Sequence, residues 1–249
     1  MLLRWITRPS LRSRLQTRLS HLLPSACALC GSTHAEGLCT PCHRQFLALR
    51  THRCRQCAVR LSDANAERCG DCLKQAPAFD ATIAACDYAA PLDQLVLALK
   101  FGGRLALAPL FARLLRDALL HEHMQHTALP TLLMPVPLGP QRLAERGYNQ
   151  ALEIARPLSR ALGIPLEAKL ALRLRDTRPQ SQLHQNERHA NLRNAFSLTP
   201  HGMERIRGQH IGLVDDVITT GETLHELAAM LKRFGAARVT NLVFARTPH

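Results

Sequence analysis

The chain has 249 residues, 46% of them hydrophobic, which is enough for a packed core of one large or two modest domains and excludes a wholly disordered, collagen-like or low-complexity chain. Lys and Arg number 32 against 19 Asp and Glu, a formal +13, so nucleic acid, anionic membrane or phosphorylated ligands are the partner classes to weigh. One Trp, two Tyr and seven Phe are too few for a single-strand binder built on aromatic platforms.

Residues 1–26 form a basic N-terminal extension. Arg4, Arg8, Arg12, Arg14 and Arg18 stand among leucines with no acid. Arg4, Arg8 and Arg12 would share one helical stripe, and Pro9 limits a helix to the part that follows it. A solvated basic face, a helix docked on membrane, nucleic acid or partner, and a mitochondrial-type targeting peptide all fit this composition. The N-terminus lacks the unbroken apolar run of a secretory signal. The longest stretch free of Asp, Glu, Lys and Arg, His123 to Gln141, is interrupted by four prolines, so no membrane span is expected. The expected location is the cytoplasm, where thiols stay reduced and cysteines serve more often as metal ligands than as disulfides.

Residues 27–78 carry eight cysteines in four pairs. Cys27-x2-Cys30 is followed after eight residues by Cys39-x2-Cys42, and Cys54-x2-Cys57 after eleven by Cys69-x2-Cys72. A two-residue gap lets both thiolates of a knuckle reach one ion, and two knuckles complete a tetrahedral site with no open position for chemistry. Eight ligands suit two structural Zn2+ ions in a double zinc ribbon. Disulfides or an iron–sulfur role are the alternatives. Adjacent and interleaved pairing of the knuckles satisfy the spacing equally. Eight thiolates against two dications would lower the net charge to about +9.

From residue 79 the pattern changes to alternating strand-like and helix-like segments, an α/β arrangement with a mostly parallel sheet. Thr82 to Tyr88 is β-rich, and within it Cys86 reads as a small buried hydrophobe. Leu92 to Phe101 reads as a helix ending near Lys100, a residue suited either to neutralise phosphate or to snorkel at the helix terminus. Leu132 to Val136 reads as a strand leading into Pro137-Leu-Gly-Pro140, Arg142 and Arg146, with a helix from about Asn149. Residues 173–193 are rich in cations.

The most informative run is Ile211-Gly-Leu-Val-Asp-Asp-Val-Ile-Thr-Thr-Gly-Glu-Thr223. A buried strand is expected to end at Val214, with Asp215 and Asp216 at its carboxyl end. A hydroxyl- and glycine-rich turn follows, then a helix from Leu224 to Phe234 closed by Gly235, and a strand from Val239 to Ala245. Thr219, Thr220 and Thr223 offer hydroxyls, Gly221 permits close backbone approach, and the helix N-terminus offers unpaired N–H groups. No Lys stands in the turn, so it is not a P-loop. Two carboxylates beside an anion cradle suit sugar hydroxyls beside a phosphate, that is, a phosphorylated ribose.

This run resembles the PRPP-binding motif of type I phosphoribosyltransferases. The resemblance implies that Asp215 and Asp216 hold the ribose hydroxyls and that Thr219, Thr220, Gly221, Glu222 and Thr223 hold the 5′-phosphate. Together with Leu92 to Gly103, Pro135-Val-Pro-Leu138, Arg146-Gly-Tyr-Asn-Gln150 and Thr177 through Phe196, it resembles the ComF/GntX family. That family pairs a zinc-ribbon module with a domain of the type I phosphoribosyltransferase fold, here 79–249. Across residues 25 to 247 the resemblance implies a diphosphate loop at Val136, Pro137 and Leu138 with Arg142 or Arg146 as counter-charges and Lys100 beside them. It implies a lid carrying Arg178 and Arg188 to the reaction centre, and Mg2+ bound with PRPP. It also implies a role in DNA uptake during natural transformation or in nucleotide metabolism, with single-stranded DNA and a helicase-like competence protein as partners. A non-catalytic accessory factor that binds a phosphosugar or single-stranded DNA is the rival reading. The base-binding hood, expected in residues 79–105, shows no readable code.

Overall fold

The computed structural model describes residues 25–34, 37–47, 51–125, 128–174 and 195–248. Residues 1–24 of the basic extension and most of the cation-rich segment, with Arg178 and Arg188, lie outside the described residues. The chain divides into two compact units, residues 1–48 and 49–249.

In the first unit a two-residue strand, β1 (Ser25–Ala26), pairs antiparallel with β2 (Thr33–His34). The turn between them carries the first knuckle. Cys27 N–H donates to Ser32 O at 2.7 Å and Gly31 N–H to Cys27 O at 2.9 Å, with Gly31 in the left-handed region. Helix α1 (Thr40–Leu47) begins between Cys39 and Cys42 and presents Cys42 to the same interior.

In the second unit the other ribbon is a short loop bridged at Arg53 and Arg60, closed by helix α2 (Gly70–Lys74). It runs into a four-stranded parallel sheet ordered β3 (Ala81–Asp87), β8 (Arg238–Arg246), β7 (His210–Ile218), β4 (Leu132–Pro135). The nine-residue β7 and β8 are buried along nearly all of their length, as expected for central strands covered on both faces. Edge strand β3 is covered by the second ribbon. Thr82 N–H donates to Arg55 O at 3.0 Å, Thr82 Oγ1 to Gln56 O at 2.6 Å, and Gln56 Nε2 to Phe79 O at 3.1 Å. Asp87 is paired with both Arg53 and Arg60. The edge is thereby covered at Thr82 by a backbone hydrogen bond and at Asp87 by two arginines.

Helices α3 (Leu92–Phe101) and α4 (Ala108–Gln125) connect β3 to β4. Phe111 of α4 stacks on Phe244 of β8 with ring centroids 3.6 Å apart, and α6 (Gln150–Leu162) lies beside α4 and over β4 and β7. Because successive strand residues point to opposite faces, Val239 and Val243 turn the other way. They join Leu213 and the buried Leu224, Leu227 and Leu231 of α8 (Glu222–Arg233) in one cluster. A small antiparallel pair, β5 (Ala171–Arg173) and β6 (Phe196–Leu198), and helix α7 (Pro200–Arg205) complete that side.

Among the described residues the expected strands and helices of the sheet domain are present, with one instructive shift. Strand β7 continues past Val214 to Ile218, so the two acids lie within the strand. Its neighbour β8 keeps pairing, Asp215 with Val243 and Ile218 with Arg246, and this ladder holds the backbone extended where a strand end was expected. Cys86 is buried as expected. Its S–H donates to Phe244 O at 3.3 Å, and burial pushes the thiol up to about 12.

Candidate functional site

The free side of β7 creates the site. Strand β4 pairs with β7 only as far as Val214, where Val136 N–H still donates to Val214 O at 2.9 Å. Beyond that point the chain leaves β4 through Pro137 and Leu138, and residues 215–217 line a cleft of about 270 Å³ at the carboxyl ends of the strands. Ligands of open α/β sheets bind in this position.

Asp215 is half-buried and Asp216 is buried. Burial, reinforced by the neighbouring Asp216 charge and opposed by Lys100, pushes the Asp215 carboxyl up to about 7. Lys100 does not snorkel outward. Its Nζ stands 3.1 Å from Asp216 Oδ2, although off the angle of a hydrogen bond, so among the described residues Oδ2 is buried without a donor. Gln150, 3% exposed, gives its Oε1 to Arg146 Nη1 at 3.0 Å and leaves its Nε2 buried without an acceptor. Both residues contribute to the lining of the cleft, and these two atoms are themselves buried behind it. Buried polar atoms without partners are costly unless a ligand or water completes them.

Of the residues anticipated from sequence, Lys100, Val136, Pro137, Leu138, Arg146, Asp215, Asp216, Thr219 and Thr223 line the cleft. Arg142, one helical turn before Arg146 on α5 (Pro140–Arg146), does not, nor do Thr220, Gly221 and Glu222. Gly221 instead takes a φ of +85° at the start of α8, a turn that any side chain would strain.

Sequence reasoning missed Tyr88, Asn149, Gln150, Arg173 and Val217 in the lining. Asn149 has a double role. Its Oδ1 caps α6 by accepting from Ala151 N–H at 3.0 Å, and its Nδ2 donates to Val136 O at 3.0 Å, fastening the 136–138 loop to that helix. Arg173 is buried over the Phe196 ring, 5.4 Å from its centroid, and its charge lowers Asp215. In the sequence it is one arginine of a cationic run. An alternating, strand-like Ala171 to Arg173 was the one signal that set it apart.

Each cysteine set gathers as adjacent knuckles, which excludes interleaving: the four Sγ atoms of Cys27, Cys30, Cys39 and Cys42 lie within 4.8 Å of one another, as do those of Cys54, Cys57, Cys69 and Cys72. Cys30 to Cys39 and Cys57 to Cys69 are 3.6 Å apart, near the edge of about 3.8 Å of a tetrahedron with Zn–S bonds of about 2.3 Å. The hydrogen bond from Cys57 pushes the Cys54 thiol down to about 4, while the same bond raises Cys57. The donor sets fit structural Zn2+.

The double zinc ribbon domain model matches residues 18–73 and the phosphoribosyl transferase domain model matches residues 149–249. The DNA utilization protein YhgH of Escherichia coli strain K12 is 36% identical over 231 residues, 90% of this chain and 98% of that protein. Competence protein F of Haemophilus influenzae is 37% identical over 204 residues, 82% and 87% of the two chains. Among solved structures, the glutamine PRPP amidotransferase of B. subtilis complexed with ADP and GMP is 19% identical, with a TM-score of 0.36 over 55% of this chain and 26% of that one, a distant likeness from which nothing about activity follows. Ribbons and sheet together define a phosphoribosyltransferase-like domain preceded by a double zinc ribbon. The chain belongs to the ComF family. Among the described residues no helix is long and apolar enough to cross a membrane.

Proposed function

We propose that the cleft binds PRPP or a closely related phosphosugar, and that the protein acts with that ligand in DNA utilization, the activity for which its relatives are named. The observation that carries this reading is the convergence of the acids Asp215 and Asp216, the hydroxyl residues Thr219 and Thr223 and the cations Lys100, Arg146 and Arg173 on one cleft. Asp215 and Asp216 take the ribose hydroxyls. Thr219 and Thr223, with the N–H groups at the start of α8, take the 5-phosphate. The loop 136–138, with Arg146 and Arg173 of the lining as counter-charges and Arg142 one turn before Arg146, takes the diphosphate. The oxygen donors of the acid pair suit Mg2+, which would neutralise a departing diphosphate. Arg178 and Arg188 remain in the proposal as cations for that diphosphate.

Calorimetric titration with PRPP and Mg2+ tests the assignment. Binding is expected in the micromolar range or tighter, and no heat at millimolar ligand would overturn it. The pH dependence is a sharper check. Hydroxyl donors require Asp215 ionised, and its carboxyl stands near 7 in the free protein. Affinity should therefore rise by up to about tenfold per unit as pH climbs toward 7, flatten above it, and be accompanied by proton release. A flat profile from pH 6 to 8 argues against Asp215 as a ligand of the sugar.

A second reading, an accessory factor that binds single-stranded DNA, is favoured by the relatives' names and by the +13 charge. If several phosphates are neutralised, single-strand affinity should fall steeply between 50 and 200 mM salt. A salt-independent affinity counts against it.

A further inference from the structure

We infer that Arg246 is a positioning residue that ties the sugar-phosphate turn to the second zinc knuckle, so that zinc at Cys54, Cys57, Cys69 and Cys72 supports ligand binding in the cleft; this rests on the phosphosugar reading above. Arg246 is the last residue of β8 and is 3% exposed. Its Nε donates to Cys57 O at 3.0 Å, within the knuckle. Its Nη1 donates to Ile218 O at 3.3 Å, to Thr219 O, and to Thr247 O at 3.1 Å. Its own carbonyl accepts from Tyr88 N–H at 2.8 Å, and Tyr88 lines the cleft. One planar side chain thus holds a metal-ligand residue of the ribbon and the two residues at which β7 gives way to the turn.

The physical need is specific. Ile218 ends β7, where its ladder partner is Arg246 itself, and Thr219 begins the turn. The turn then reaches α8 through Gly221, whose cap has no side-chain hydrogen bond. Ile218 O also accepts from Thr247 N–H at 3.0 Å, and the further donors that carbonyls at such an end can take come from a guanidinium, which supplies several in a rigid fork where Lys supplies a point charge. The fork is held at its other end by Cys57 O, and that carbonyl is placed by closure of the knuckle on its ion, because small metal-bound loops draw most of their order from the metal. Emptying the site frees Cys57 O, loosens Arg246, and makes the ligand restore the order of residues 218–223 at the expense of affinity. Coupling is reciprocal, so the ligand should also slow zinc loss from this site.

The test uses the full chain as wild type, Arg246→Gln, Cys72→Ser and the double variant. It reads zinc per chain, PRPP affinity with Mg2+, and amide exchange of residues 218–223 against residues 132–135 as an internal control. Arg246→Gln is expected to keep two zinc ions, to exchange faster at 218–223 alone, and to bind PRPP about 5–150-fold more weakly. Cys72→Ser should keep one zinc ion, bind PRPP more weakly and exchange faster at 218–223, together with faster exchange in β3, which the emptied ribbon no longer covers, and the double variant should bind no more weakly than the worse single. Wild-type exchange at 218–223 in both single variants, or two affinity losses that multiply in the double variant, would overturn the inference. If wild type binds no PRPP, the phosphosugar reading fails and the exchange result alone decides the coupling. If Arg246→Gln loses zinc or speeds exchange at 132–135 as well, Arg246→Lys takes its place. Lys reaches fewer of the carbonyls and should give the same pattern with a smaller loss; wild-type affinity and exchange in it would overturn the inference.

Discussion

Replacing Asp215 and Asp216 together by Asn is expected to weaken PRPP binding by about 100- to 10,000-fold, because each carboxylate that accepts from a hydroxyl contributes on the order of 1.5–3 kcal/mol and an amide oxygen replaces it poorly. The expectation has a second half, which separates lost binding from lost folding. Asp215 is held near 7 by burial and by the adjacent acid, above its value of about 3.9 in an unfolded chain. The sign follows from linkage: a carboxyl raised in the folded state contributes stability that is fully present below pH 4 and lost as pH climbs through 7. Removing its charge therefore removes a strain. Asp215→Asn alone should melt higher than wild type at pH 8 without ligand, while binding PRPP more weakly at the same pH. A double variant that binds as wild type does would exclude the acids from the sugar site. A single variant that melts lower than wild type at pH 8 would exclude the strained carboxyl. Lys100 belongs to the same balance, since its ammonium 3.1 Å from Asp216 offsets part of the repulsion.

Cys54→Ser is expected to have the largest structural effect. A four-thiolate zinc site contributes on the order of 10–16 kcal/mol in small metal-folded modules at neutral pH, comparable to or larger than the 5–15 kcal/mol net stability of a typical domain. Cys54 is fully buried, and the small cluster around it consists of Val59, Leu61 and the other three ligands, too little apolar surface to hold the loop without metal. Elemental analysis should fall from two zinc ions per chain to one. The loss should extend into the transferase-like unit, because edge strand β3 depends on Arg55, Gln56 and the Arg53–Asp87–Arg60 cluster for its cover. An uncovered strand edge invites association, so light scattering on warming should begin well below the wild-type temperature. A Cys54→Ser protein that holds two zinc ions and melts as wild type does would show that the ribbon does not depend on its metal.

Much of the chemistry was legible because it is written in short spacings. Two-residue gaps between cysteines, a pair of acids before Thr-Thr-Gly, and apolar runs separated by glycine turns are local patterns, and local geometry follows from them: knuckles, an anion cradle, strands and helices. The tertiary structure decided everything that depends on partners distant in sequence. Knuckle pairing was open because adjacent and interleaved sets have equal spacings, and the fold chose adjacent sets, the first in residues 1–48 and the second in residues 49–249. The acids lie inside β7 because β8, more than twenty residues later, continues the ladder past Val214. Lys100 turns inward because Asp216 lies there to be paired. Among the arginines of the cationic run, β5 carries Arg173 into the cleft. Arg246, at the end of an apolar strand, gave no sign of its role, because its acceptors are main-chain carbonyls. Every residue has such a carbonyl, and only the fold brings these together around one guanidinium.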